Sequence, residues 1–264
     1  MTQVGLLLPA LKPERIFTSH PSFFIGLALF WSHSQFDWKH TVAVFAYLLF
    51  YGAVYLLNDI ADYKGDRRDY HNKSRLIASN RLNRKTATFA AVVLIAVTLG
   101  YVGWFSLQML GYLLLLLGIN IFYSWAMKGV PYLELLFISF THPIKYLTAL
   151  SLCGVAITTL LPYLPFLSLM YFVACFLHAE KQLGKLQGGR KRTFLIGNYS
   201  SRGLSVFGNF FLFLAFISLL WTYGRVEFLF AVFVFSIGIW LRFGFSAKNA
   251  ASFVNKLENL FQPR

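Results

Sequence analysis

Charge is what this 264-residue chain has least of: Asp, Glu, Lys and Arg make up 13% of it, against roughly 25% in ordinary soluble domains. With 57% hydrophobic residues and a mean hydropathy of +0.59, too few polar side chains remain to cover an apolar core. Soluble, disordered and fibrous classes are excluded on that ground. Acids are scarcest, ten against 24 bases, for a formal charge of +14. Cysteine is nearly absent, and Cys153 and Cys175 both lie in apolar runs, where they read as small core residues. No Pro-, Ser- or Gly-rich linker and no long repeat divides the chain, so one membrane domain over 1–264 is expected. Met1 to Arg15 lacks the pattern of a cleavable signal, because Lys12, Glu14 and Arg15 follow its short apolar part instead of preceding it.

What the chain does have is long apolar runs. Eight are long enough to span a bilayer: Ile16–Ser34, Thr41–Leu57, Thr86–Phe105, Leu107–Met127, Tyr132–Ile157, Leu161–His178, Gly203–Tyr223 and Val226–Phe245. The fold class expected is an all-α membrane bundle of about eight helices around a cytosol-facing cavity. The bases set its orientation. Lys12 and Arg15, the 58–85 loop, Lys128, the 178–202 loop and the Lys248–Arg264 tail alternate with connections that carry only Lys39 and Arg225. All heavily basic segments therefore share one face. Both termini belong on the cytoplasmic side of a multi-pass plasma (inner) membrane protein. Placed in this way, the positive charge speaks for lipid headgroups and phosphate-bearing substrates, not nucleic acid.

Two loops stand out. Residues 58–85 hold eight bases and four of the ten acids, and residues 178–202 hold six bases and one acid, Glu180. Orientation bias does not explain why the acids gather in the first loop. In Asn58-Asp59-Ile60-Ala61-Asp62-Tyr63-Lys64-Gly65-Asp66, the aspartates fall at i, i+3 and i+7, within about 60° of one another on a helix. Three carboxylates so stacked repel unless a cation sits among them. Oxygen-only donors suit Mg²⁺ shared with substrate phosphates; the alternative is a solvated helix end with i,i+4 ion pairs. His71, Lys73, Arg75, Arg81, Arg84 and Lys85 follow the stripe, and of these Arg75 and Lys73 are the first choices to meet a diphosphate.

A second constellation begins with Tyr123 and Lys128 and continues with Glu134, His142 and Lys145 inside the fifth run. Ionisable residues at membrane depth are costly and default to functional or paired roles. Glu134 and Lys145 lie about 16 Å apart along a helix, too far to pair, whereas His142 and Lys145 are i,i+3 neighbours. In the second loop, Glu180, Lys181, Gln182 and Lys185 sit beside Gly184, Gly188 and Gly189. Glycines and bases can cradle phosphate, but no P-loop spacing accompanies them.

An Asn-Asp-x-x-Asp-x-x-x-Asp run closing an apolar helix, with Arg75 nine residues beyond, resembles the UbiA superfamily of intramembrane prenyltransferases. Tyr123 and Lys128 extend the resemblance, which covers about helices 2 to 8. It implies that Asn58, Asp59, Asp62 and Asp66 bind Mg²⁺ and a diphosphate, with Asp59, Asp62 and Asp66 as metal ligands. Two departures stand out: the second aspartate-rich motif usual after helix 6 is missing, and eight helices are found where many members have nine. Tyr123-x-x-x-x-Lys128, Glu134 and Ile144-Lys145 are similar to the decaprenyl-phosphate phosphoribosyltransferase branch, which also lacks that motif. The Glu180-Lys181 loop fits that branch as well.

What this implies is transfer of a phosphoribosyl group from phosphoribosyl pyrophosphate to a polyprenyl phosphate, or else of a polyprenyl group from its diphosphate to an aromatic acceptor. Both lose diphosphate from a carbon that becomes cationic, and cations at the leaving group help either. The lipid phosphate would be held by Lys128, Lys181 and Lys185. A reading of another class is a non-catalytic lipid-binding or transporter-like membrane protein. The orientation is tested with single cysteines placed at Phe105, Thr158 and Arg225, which should be labelled from the outer face only; labelling from the cytosolic face would overturn the topology.

Overall fold

The computed structural model describes residues 2–30, 36–68, 72–127, 130, 132–160, 164–165, 168–173, 175–176, 179 and 199–222. Among the described residues every regular element is helical. The chain divides into two compact units, Met1–Leu161 and Pro162–Arg264. The first opens with a 3-10 turn, Val4–Leu6, and short helices α1 (Leu7–Ala10), α2 (Pro13–Ser19) and α3 (Pro21–Phe30). Then come α4 (Trp38–Asp66), α5 (Arg84–Phe105), α6 (Leu107–Phe122) with a π-helical turn at Tyr123–Met127, α7 (Leu133–Leu152) and α8 (Ile157–Leu160). In the second unit, residues 168–173 are helical and α9 spans Ser201–Thr222. The eighth expected run, Val226–Phe245, lies outside the described residues.

Four described helices are long and apolar enough to cross a membrane: Trp38–Asp66, Arg84–Phe105, Leu107–Met127 and Leu133–Leu152. They coincide with the second to fifth expected spans, and Arg202–Ser218, within α9, is a shorter apolar helix. The first expected span differs. Instead of one helix from Ile16, the chain breaks at His20, between α2 and α3. Pro21 causes the break, since it lacks an N–H and disfavours helical backbone at the residue before it.

The ends of the helices are written in the sequence. Asp37 caps α4 by accepting from the backbone N–H groups of Lys39 and His40, and the His40 side chain closes a capping box. The His40 hydrogen bond holds the Asp37 carboxyl below the usual range. Asn83 caps α5. Ser106 ends α5 and caps α6, its hydroxyl accepting from Met109 N–H at 3.2 Å, so a single extended residue turns the chain between two spans. At the Asp37 end, Lys39 lies over the exposed rings of Trp38 and Trp104, the mixture of base and indole found at a membrane interface. Asp59 lies 21 residues along α4 from Trp38, about 32 Å of helix and about the hydrocarbon thickness.

Within the first unit α4 packs along α5, and α3 and α6 along α7. Phe23, Tyr47, Phe50, Val54, Met109, Leu113 and Leu116 lie in one buried cluster, where the Phe23 and Tyr47 rings stack at 3.6 Å. A second cluster joins Leu6, Ala10, Leu56, Ile77, Leu82, Ala87 and Ala91 near the aspartate end of α4. Phe45, Phe89, Val97, Leu115 and Phe140 are exposed, as lipid-facing side chains are in a bilayer. The α3–α7 contact depends on Gly26, where a Cβ would come within 3.0 Å of both Ala149 Cβ and Tyr146 Cδ1. Gly26→Leu should therefore cost about 1–3 kcal/mol through overpacking and lower the melting temperature in detergent. Gly111→Leu, with open space beside its backbone, should leave that temperature within about a degree or two of wild type.

Candidate active site

Helix α4 runs past its apolar stretch without a break, so Asn58, Asp59, Asp62 and Asp66 stand on one rigid helix end. Asp59 and Asp66 are buried and Asp62 is half-buried. After Arg67 the chain folds back in tight turns, with Arg75 N–H donating to Asn72 O and Leu82 N–H to Leu76 O. Ile77 and Leu82 anchor this loop in the second cluster. It delivers Arg75, whose Nη1 donates to Asp66 Oδ2 at 2.8 Å and lies 3.5 Å from Asp59 Oδ1. Tyr63 points elsewhere: Arg67 donates to its hydroxyl at 2.7 Å and the Arg84 guanidinium lies over its ring. Arg67 and Arg84 thus engage Tyr63 and not the acidic stripe.

The second cation comes from a residue that the sequence marks only as a topology determinant. Lys12 Nζ donates to Asp59 Oδ1 at 2.6 Å. Burial pulls the Lys12 ammonium below the ordinary lysine range, and the Asp59 charge works against that fall. Lys12 has a left-handed backbone (φ 51°, ψ 56°) immediately before Pro13 at the first turn of α2, a conformation that costs a non-glycine residue about 1–2 kcal/mol. Its neighbour Leu11 approaches α4 closely because position 52 is glycine: a Cβ there would meet Leu11 Cβ at 3.1 Å. Gln3 fastens the same segment to the loop, its Nε2 donating to Arg81 O and its Oε1 accepting from Asn83 N–H, both at 2.9 Å. A Lys-Pro step just before an apolar run was the signal available in the sequence.

Other expected site residues approach from α6 and α7. Ser124, in the π-helical turn, donates to Asn58 Oδ1 at 2.7 Å, orienting that amide. Tyr123 is half-buried within electrostatic reach of both Glu134 and Asp62, and Glu134 is buried at the start of α7. Lys73 is exposed on the loop. Lys128, Glu180, Lys181 and Lys185 lie outside the described residues, as does His71. Among the described residues, no three carboxylate, imidazole or thiol groups converge closely enough to hold a metal ion as they stand; Asp59 faces Lys12 and Arg75, and Asp66 faces Arg75.

Deeper in the bundle, the intramembrane polar residues form a network of their own. His20, at the α2–α3 break, hydrogen-bonds the hydroxyls of Tyr47 and Tyr55 at 3.0 and 2.8 Å. Its ring packs 3.8 Å from that of Tyr51, and the Lys145 ammonium lies 5.3 Å from the centre of the same Tyr51 ring. Ser22 meets His142 at 3.2 Å. His142 and Lys145 are therefore in buried polar contacts, one of the two roles their positions allow, and such bonds hold helices together where lipid gives no hydrophobic drive.

An acidic helix end at the membrane surface, faced by two half-buried cations from separate segments, defines an intramembrane helical protein built to handle charge. The model of the UbiA prenyltransferase family matches residues 20–253, and the chain belongs to that family. It is similar to a solved structure of digeranylgeranylglyceryl phosphate synthase, at TM-score 0.70 and 16% identity over 98% of this chain and 95% of that one. A UbiA homologue from Archaeoglobus fulgidus, solved with GPP and Mg²⁺, is similar at TM-score 0.64 and 13% identity, covering 91% of this chain and 86% of that one. The same homologue with DMAPP and Mg²⁺ gives 0.64 and 13%, over 92% and 86%. At these identities the likeness is one of fold. The uncharacterized protein y4nM of Sinorhizobium fredii is 27% identical over 136 residues, 52% of this chain, which spans 26% of that relative's length.

Arg75 is the one described side chain that reaches both Asp59 and Asp66. Arg75→Met should lower stability by about 2 kcal/mol in metal-free detergent, the worth of a hydrogen bond to a charged group. Arg75→Lys should recover less than half of that, because an ammonium does not reproduce the guanidinium fork. Unfolding in denaturant measures both.

Proposed function

We propose that the chain is a Mg²⁺-dependent intramembrane transferase that displaces diphosphate from a prenyl donor and passes the prenyl group to an acceptor at the membrane surface. The observation that carries this is the aspartate stripe of α4, at the end of a bilayer-length helix, already drawing cations to Asp59 and Asp66. The donor set fits the ion. Asp59, Asp62 and Asp66 offer only carboxylate oxygens, the chemistry Mg²⁺ prefers, and two of them, Asp59 and Asp66, already draw cations. Those three residues would hold the ion, with Asn58 beside them, and when bound it supplies charge neutralisation for the departing diphosphate.

The protein's own residues do the rest. Arg75 stands within reach of the same carboxylates and is placed to meet oxygens of the leaving group. Ser124 fixes the Asn58 amide so that its NH₂ faces away from the Ser124 hydroxyl and towards ligand. Tyr123 and Glu134 give this end of the bundle a hydroxyl and a carboxylate with which to orient an acceptor or steady a developing cation. The apolar helices admit a lipid tail. Membership of a prenyltransferase family and the prenyl diphosphates held by the Archaeoglobus fulgidus homologue support prenyl transfer over other donors. Both site loops are proposed to face the cytoplasm, on the positive-charge asymmetry.

A second reading has a specific observation in its favour. The 178–202 loop holds six bases and only Glu180 as an acid, so it is suited to holding an anionic phosphate directly. Lys128, Lys181 and Lys185 would then grip a polyprenyl phosphate while the aspartates take phosphoribosyl pyrophosphate. Purified protein with Mg²⁺ separates the two. Prenyl diphosphates with hydroxybenzoate- or naphthoate-type acceptors should yield prenylated product. Product only from phosphoribosyl pyrophosphate and polyprenyl phosphate would overturn the first reading in favour of the second. In the productive reaction, Asp59→Asn or Asp62→Asn should each lower kcat/KM by at least about 100-fold, roughly 2.7 kcal/mol. Full activity in both variants would reduce the stripe to a solvated helix end.

A further inference from the structure

We propose that Lys12 is a tethered counter-ion that occupies Asp59 when metal is absent and must swing away for Mg²⁺ to bind, so that the N-terminal segment sets the affinity of the metal site. The inference rests on the metal reading above and concerns a residue in a different segment.

Three observations carry it. The Lys12 ammonium lies 2.6 Å from Asp59 Oδ1, against the same carboxylate that the metal reading requires. The two cations cannot share that oxygen at full strength, because like charges a few ångströms apart in a partly buried site repel strongly. Arg75 already faces Asp59 Oδ1 at 3.5 Å, so Asp59 meets two cations before any metal ion arrives. Lys12 also holds this place with a left-handed backbone at φ 51°. No glycine relieves it and Pro13 follows directly, and backbone strain of this kind persists only where surroundings enforce it.

The surroundings that enforce it are identifiable. Gln3 ties the segment to Arg81 and Asn83 through two hydrogen bonds, and Leu6 and Ala10 are buried against Leu56 and Ala87. Leu11 rests against Gly52. The segment is thus clamped on the N-terminal side of Lys12, and the Lys12 side chain itself is the part free to reorient. Once the Lys12 ammonium leaves Asp59, the clamp still holds its backbone in place. The contact therefore selects against weak or singly charged cations: only an ion that binds the carboxylates more strongly than a tethered ammonium displaces it.

The test uses Mn²⁺ as a spectroscopic stand-in for Mg²⁺, with the full-length protein in detergent and no diphosphate present. Lys12→Met should bind Mn²⁺ roughly tenfold more tightly than wild type, the worth of one charge-assisted hydrogen bond. Lys12→Arg should stay near wild type. Lys39→Met, which removes a base at the far end of α4, controls for net charge and should change nothing. Gln3→Ala keeps the ammonium but loosens its tether, and should tighten Mn²⁺ by a smaller factor. In the wild-type protein, where no variant has to fold, Mg²⁺ should raise the rate at which an amine-acylating reagent modifies Lys12, read by mass spectrometry. Equal or weaker Mn²⁺ binding by Lys12→Met, or acylation of Lys12 unchanged by Mg²⁺ at saturating metal, overturns the inference and leaves the metal site standing. Failure of Mn²⁺ to bind any of these proteins overturns both.

Discussion

Three carboxylates on successive turns of one helix end must be neutralised, and most of what surrounds α4 is arranged to do so. Their mutual repulsion would fray the last two turns if water were the only counterweight. The loop after α4 turns back and buries Ile77 and Leu82, which brings Arg75 to Asp66 and Asp59. The N-terminal segment packs Leu6, Ala10 and Leu11 against the same helix and brings Lys12 to Asp59. Two stretches of chain far apart in sequence thus converge on one charge problem. Each contributes one cation and a few apolar side chains to hold it there. The apolar part of α4 shares the constraint, since the stripe is positioned only because the helix continues unbroken from Trp38 to Asp66.

A tight charge balance of this kind suits a site whose occupants change. With Asp59 and Asp66 each facing a cation, less negative potential is left at the membrane surface to gather cations indiscriminately. A divalent ion accompanied by a polyanion brings nearly balanced charge of its own. On the proposed reading its arrival would exchange partners more than add charge, with Lys12 and Arg75 offered new oxygens in place of those they lose.

Much of this was legible in the sequence, and what was missed has a physical reason. Four spans are visible as runs of apolar residues because lipid-facing and core-facing sides are both apolar, so length alone marks them. The hairpin at Ser106 is readable because serine caps a helix wherever the chain turns. The aspartates declare themselves by helical spacing, and Arg75 by following them closely. Lys12 does not, since its function depends on a contact 47 residues away in sequence and its local signature equals that of any base ahead of a membrane span. Ser124 is hidden likewise, being one of many small polar residues until the π-helical turn sets it against Asn58. The break at His20 was written in the Pro21 that follows it, although the apolar run continues across it.

That break has a mechanical consequence. His20 is pinned to α4 by the hydroxyls of Tyr47 and Tyr55, and α2 leads from it back to Lys12 over eight residues, about 12 Å of helix. Lys12 and His20 thus bracket α2 with one charged contact at the membrane surface and one hydrogen-bonded anchor within it, and both contacts fall on the same helix, α4. Helix α3, beyond the break, packs on α7 instead. The bend before Pro21 therefore divides the N-terminal chain between two partners, and a substitution that straightened it would set the contacts of α2 with α4 against those of α3 with α7.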